Sequence, residues 1–240
     1  APVVLGFVPS NNATGTEPSL KVSAASLQNA NTGTLLSFPV ATNALQKFQD
    51  AASGYGSFPV ISRGTTTVRQ LPLFVSINKN VYPSLTAEAL RVHADSDHYA
   101  LSFHGPLPWL PGTTWLNTTK VAIGSLNIAT DAATRFWPYF RWDNPFQHIS
   151  AWKILAGKIG EKRIRNKLIL VGSSASGLSS RVTTPLGQSV PGIAIQAQAI
   201  ESILGEAFLT REGWADLAEI IISLMLALLL IRFLPVWGLP

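Results

Sequence analysis

Gly172-Ser173-Ser174-Ala175-Ser176-Gly177 has the glycine spacing of a loop that cradles phosphates, and in this 240-residue chain it comes nearest to a recognisable chemistry. Nucleotide hydrolysis needs a lysine directly after the second glycine, as a cation for the β- and γ-phosphates, and Leu178 stands there. The glycines do not fit the dinucleotide-binding spacing either. A serine nucleophile on a strand-to-helix elbow needs a glycine two residues to each side, and none of Ser173, Ser174 and Ser176 has both. His93, His98, His104 and His148 have no serine or carboxylate that spacing places beside them. Asp95-Ser96-Asp97-His98 brings two carboxylates and an imidazole together. A hard cation takes about six to eight oxygens and zinc would need further ligands, so a solvated turn is preferred. Cysteine is absent, which removes thiolates and disulfides. No catalytic residue, metal site or cofactor is expected.

What these residues suit is binding. Ser173, Ser174, Ser176 and Thr184 offer hydroxyls and Arg181 a positive charge, a set that fits an anionic or hydroxylated small molecule. The elements that must position them follow from the flanking pattern. Leu168-Ile169-Leu170-Val171 is an unalternating apolar run, which predicts a parallel strand covered on both faces. Thr183-Thr184-Pro185 turns the chain, and Pro191-Gly192 opens a helix with Ile193, Ala197, Ile200 and Leu204 on one face. The ligand is expected at the C-terminal end of the strand, where the hydroxyls meet the helix N-terminus.

Earlier in the chain, Val3 to Val8 reads as a strand, and the polar stretch from Ser10 to Ser26 has no usable period. Ala41, Ala44, Leu45, Phe48, Ala51 and Ala52 recur at helical spacing and predict an amphipathic helix that Gly54 ends. Phe58 to Ile61 and Val68 to Ile77 read as a hairpin across Arg63 to Thr67. Ser84 is a candidate N-cap for a helix burying Leu85, Ala89 and Val92. Tyr99, Leu101 and Phe103 alternate as in a half-buried strand that His104-Gly105-Pro106 breaks. Phe136 to Phe140 is an aromatic strand that Pro138 places at an edge or bend. The rings between Phe136 and Trp142 are read as core before a stacking platform. Ser150 to Leu155 is a short helix closed by Gly157, and Lys158 to Arg165 links it to Leu168.

Composition sets the broader frame. Charged residues make up 13% and hydrophobic ones 47%, against roughly 25% charged in an ordinary soluble domain, which points to membrane or a very large core. The net charge of +5 is scattered except within Lys158 to Lys167, so nucleic acid is not expected as a partner. Trp214 to Phe233 has the length of a membrane-spanning helix, with Asp216 and Glu219 near its start and Arg232 near its end. The positive-inside rule then puts the C-terminus in the cytoplasm and the rest outside. Ala1 to Phe7 lacks the basic start of a signal peptide, and the chain reads as a piece of a longer protein.

Several segments resemble one family. Lys167-Leu168-Ile169-Leu170-Val171-Gly172, Gly177-Leu178, Thr184-Pro185 and Pro191-Gly192-Ile193-Ala194-Ile195-Gln196-Ala197 are similar to the C-terminal signature of the type-two CHASE domains, extracytoplasmic sensors attached to cyclases and histidine kinases. Arg69, Pro72 and Leu73, and the Asp131, Arg135 and aromatic segment, fit as well. Arg63-Gly64-Thr65-Thr66 lacks the acidic turn of relatives, and Ser180 and Gln196 stand where relatives carry an aspartate and a histidine. The resemblance implies a non-catalytic sensor whose state passes to a cyclase or kinase output. The fold expected is α/β, a central mixed sheet with helices packed on it, followed by a C-terminal transmembrane helix. Residues 1–213 form the sensor domain, 214–233 the span, and 234–240 a turn toward a further span. Expected partners are a small molecule, membrane lipid along the terminal helix and, in a homodimer, a second copy. A membrane-tethered binding module without signalling, and a hydrolase using the loop serines, are the alternatives.

Overall fold

The computed structural model of the chain describes residues 1–11, 15–18, 35–58, 67–104, 118–144, 147–175, 181–210 and 214–233. It opens with β1 (Val4–Ser10), β2 (Ser37–Phe38), β3 (Val40–Thr42), α1 (Gln46–Ala51) and β4 (Gly54–Ser57). Next come β5 (Leu71–Pro72), β6 (Phe74–Ile77), β7 (Asn80–Pro83), α2 (Leu85–His93) and β8 (Tyr99–His104). The middle holds β9 (Thr118–Ile123), β10 (Leu126–Thr130), β11 (Arg135–Pro138) and α3 (Ala151–Leu155). The end holds β12 (Arg181–Thr183), β13 (Ser189–Pro191), α4 (Gly192–Leu204), β14 (Phe208–Leu209) and α5 (Trp214–Phe233).

The class is mixed α/β, but several small sheets replace the expected central one. Their orders are β3-β1-β4, β2-β6-β7, β14-β11-β5, β10-β9-β8 and the pair β12-β13. Two are mixed, with β1 parallel to β4 and β2 parallel to β6. Short strands with built-in breaks explain the division. Only Leu73 separates β5 from β6, yet they join different sheets, and Leu73 bonds toward both, its amide donating to the Thr134 carbonyl at 2.9 Å and its carbonyl accepting from the Ser84 amide at 2.7 Å.

β6 is the partition of the molecule. Phe74 belongs to the larger core with Leu90, Tyr99, Ile128 and Phe136, while Val75 and Ile77 belong to the smaller one with Phe7, Tyr55 and Tyr82. Burial on both faces was the property expected of Leu168–Val171. That stretch pairs with no strand among the described residues, and Leu168, Ile169 and Val171 face solvent, Val171 at 85% exposure. A Cβ on Gly172 would lie 2.9 Å from Ile193, so the segment crosses closely over the start of α4 instead of lying in a sheet.

Other expectations shift in ways the packing explains. The helix read from Ala41 onward is only α1. Ala41 is captured by β1, opposite Pro9, and Leu45 and Phe48 are exposed while Gln49 turns inward to donate to the Ala44 carbonyl at 2.7 Å. The first strand of the expected hairpin, Phe58–Ile61, falls almost wholly outside the described residues, which omit Pro59 to Thr66. Within the expected second strand, β6 forms a hairpin with β7 through Asn78 and Lys79 at φ 49° and 70°, the left-handed pair a two-residue turn requires. β8 runs through His104 instead of stopping before it. β11 is the centre of its sheet, and Pro138 is its last paired residue. Phe136 is core, but Tyr139 and Trp142 are exposed. α3 forms as expected, with Gly157 at φ 66° beyond its end, and buries no side chain.

Both longer helices of the domain centre their buried face beside the one expected, leaving Leu85, Ala89, Val92, Ile193 and Ala197 half-buried and keeping Ile200 in the core. α2 starts at Ser84, whose side chain accepts from the Ala87 amide at 3.2 Å, but buries Thr86, Ala87, Glu88, Leu90 and Arg91. α4 buries Ala194, Ile195, Gln196, Ala199, Ile200, Ser202 and Ile203 and leaves Leu204 exposed. α5 is 20 residues long, and its side chains from Glu219 to Phe233 are exposed. Among the described residues no helix is long and apolar enough to cross a membrane. The charge-free stretch of α5, Ile220 to Ile231, covers only about 18 Å at 1.5 Å per residue.

Candidate functional site

Four of the five residues expected to bind a ligand are described, and they flank the start of α4 from two directions. Ser173 and Ser174 follow Gly172 in the exposed segment that crosses Ile193. Ser176 lies outside the described residues. Arg181 and Thr184 sit on the hairpin of β12 and β13 that runs directly into α4.

The hairpin fixes these two side chains differently. Arg181 donates through Nε to Ser189 Oγ at 3.2 Å, and a terminal nitrogen donates to the Ser189 carbonyl, so its guanidinium lies across its own hairpin. Thr184 closes the turn through backbone bonds, its amide donating to the Gln188 carbonyl at 2.8 Å and its carbonyl accepting from Gly187 at 2.9 Å. Its side chain is 1% exposed, and among the described residues Oγ1 has no hydrogen-bond partner. A buried hydroxyl left so costs about 1–3 kcal/mol unless something meets it. Hydroxyls, one guanidinium and a helix start can hold a small oxygen-rich molecule, and this set has no base to activate a nucleophile. His148 bonds Asp143 at 2.9 Å, away from these serines in sequence, and no cluster of acids and histidines among the described residues could hold a metal.

Sequence reasoning missed a second polar centre. Glu88 is 1% exposed inside the domain. Arg91 donates to it through Nε at 3.0 Å and through a terminal nitrogen at 2.8 Å, and the Tyr99 hydroxyl donates to Oε2. Arg91 also donates to the carbonyls of Ser96 at 2.7 Å and Ser53 at 3.3 Å. Its bonds to Glu88 hold the Arg91 guanidinium pKa above its ordinary range, and burial, then the charge of Glu88, raise the Tyr99 phenol well above its own. Two glycines make room for this. A Cβ on Gly54 would fall 2.6 Å from Glu88 Oε1, and one on Gly56 would fall 2.7 Å from the Leu85 Cα, so α2 lies with its backbone against β4. Glycines two apart within a strand signal such a close approach. Glu88 and Arg91 gave no signal, because charged residues on a short helix are first assigned to solvent.

α2 and α4 are tied by polar atoms as well as by core. Thr86 Oγ1 donates to Gln196 Oε1 at 2.5 Å, both side chains being buried. Gln196 is thus a bridge between the helices. At the far end of α4, Ser202 Oγ accepts from the Tyr139 amide at 3.1 Å and donates to the Ala207 carbonyl at 2.6 Å, just before β14 pairs with β11. One helix therefore joins the hydroxyl-bearing loops to the strand that precedes α5.

No curated protein and no solved structure matches the chain. The CHASE2 domain model matches residues 9–232, nearly the whole length and including the loops, the helix between them and most of α5. With that match spanning the site and its supports, the chain belongs to the CHASE2 domain family, the extracytoplasmic sensory, non-catalytic domains of membrane signalling proteins.

Proposed function

We propose that this domain lies outside the cytoplasm, binds a small anionic or hydroxylated molecule at Ser173, Ser174, Ser176, Arg181 and Thr184, and passes the change along α4 into α5. α5 carries it through the bilayer toward a cytoplasmic cyclase or kinase output. The observation that carries this reading is the position of α4, whose start touches both candidate loops and whose end leads through β14 to α5. A helix of 13 residues moves as one body, so a displacement at Ile193 is felt at Ile203. The Thr184 hydroxyl, buried without a hydrogen-bond partner among the described residues, supports a guest at the loops. The exposed apolar side chains of α5 support lipid around it. In this arrangement Asp216 and Glu219 lie at the outer interface and Arg232 at the cytoplasmic one, where charged ends are tolerated and the full 20 residues span about 30 Å.

Two measurements test this. A cysteine placed at Asp97, in an exposed turn of a chain with no native cysteine, should react with an impermeant thiol reagent in intact cells. Reaction only after the cells are opened would place the domain in the cytoplasm and end the reading. In a thermal-shift screen of small organic acids and sugars, any stabilising compound should lose its effect on the Ser174→Ala and Arg181→Ala double variant. Retained stabilisation would remove the loops as the site.

A further inference from the structure

α3 presents a problem that the sensor reading does not solve. Isolated helices shorter than about 12 residues are marginal in water and depend on packing, yet α3 buries none of its side chains. Trp152 is 55% exposed, Leu155 88%, and Ile154 is exposed beside them. The cover it lacks is defined by charge. Lys153, Lys158, Lys162, Arg163, Arg165 and Lys167 fall within the same stretch, against Glu161 as the one acid, which pairs with Arg165. The ammonium groups of Lys153 and Lys158 lie 5.9 and 4.9 Å from the centre of the Trp152 ring, so cation and indole share one face. Protein interfaces also combine aromatic rings with arginine but are depleted in lysine, and four of these six cations are lysines. The combination of exposed indole and leucine with dense lysine and arginine matches the boundary of an anionic bilayer, where rings sit at headgroup depth and each cation meets lipid phosphate.

We propose that α3 and the basic stretch after it form an interfacial docking surface for anionic phospholipid. This surface is separate from α5 and holds the domain against the membrane face. It depends on headgroup charge, whereas insertion of α5 depends on apolar area.

The full chain carries the test in vesicles with brominated acyl chains, made of phosphatidylcholine alone or mixed with phosphatidylglycerol. An environment-sensitive fluorophore on Leu155→Cys should be quenched in the mixed vesicles and not in the neutral ones. The same label on Ile222→Cys in α5 should be quenched in both, so failure of the span and failure of the docking surface are told apart. Replacing Lys153 and Lys158 with glutamine should lower the ratio of docked to undocked α3 about 30-fold, at roughly fivefold per cation. Raising salt on the otherwise unaltered labelled chain should release Leu155→Cys and leave Ile222→Cys quenched, a readout that survives if the lysine variant misfolds. Equal behaviour of Leu155→Cys in both lipids, no quenching in either, or label-to-label contact in lipid-free micelles, which would make a second copy the cover, each overturns the proposal.

Discussion

Glu88 is the side chain whose neighbours most sharply constrain what substitution can do. Arg91→Met leaves its carboxylate buried without a counter-charge and should cost about 3–5 kcal/mol in urea unfolding. Tyr99→Phe removes one donor and should cost about 1–3 kcal/mol. Replacing Glu88 and Arg91 together by leucine and methionine should cost less than Arg91→Met alone, because no charge is then stranded. An equal or larger loss for the pair would show that the cluster stabilises by more than neutralising its own members. The tyrosines give a pH signature. Burial is the first cause of a raised phenol pKa in Tyr55, Tyr82 and Tyr99, and the Glu17 carboxylate adds to it at Tyr82. A raised folded-state pKa means stability that is complete below the ordinary value of 10.0 and declines as pH rises above it, because the unfolded phenols ionise first. An ultraviolet titration should show these three ionising late, together with unfolding. Glu17 runs the other way. Bonds from Asn80 and Tyr82 lower its pKa below 4.5, so the anchoring it gives β7 is present above that pH and is lost as pH falls through the lowered value, which a carboxyl titration by NMR can follow.

Among the elements, α2 should be the most sensitive to backbone changes. Gly56→Ala drives a methyl to 2.7 Å from the Leu85 Cα and must lift the helix from β4, whereas Ser84→Ala removes only the cap and should cost about 1 kcal/mol. Thermal unfolding of the two variants should rank them in that order. The same helix marks how far the sequence could be read. Its start was legible because a serine before an apolar helical run has a local cause. Its buried face was not, because burial of Glu88 and Arg91 depends on Gly54, Gly56 and Tyr99, which come from other elements. β1, β8, α3 and the limits of α4 were likewise set by local pattern. Leu168–Val171 was misread because an apolar run states that a segment avoids water without stating which surface takes it, and here only Leu170 reaches the core. At the candidate site the hydroxyls and Arg181 could be named from composition. Only packing could show Thr184 Oγ1 buried without a partner among the described residues, and Arg181 folded back onto Ser189.

At the scale of the whole molecule, residues 1–213 should form a cooperative unit without α5. Both cores are built from residues before that helix, and α5 exposes its side chains from Glu219 onward. Calorimetry of the 1–213 fragment should give one sharp transition in plain buffer, while the full chain needs detergent or lipid. Aggregation of the fragment beside a well-behaved full chain would make α5 part of the core. The sheet β14-β11-β5 adds a kinetic consequence. It draws Leu71, Phe136 and Leu209 together from distant parts of the chain through two-residue outer strands, so it closes long loops for few bonds. Such a sheet forms late and opens early. The junction through which the domain reaches α5 is therefore the part whose amides, at Trp137 and Leu209, should exchange with deuterium well before those of β6, while the rest of the fold stays shut.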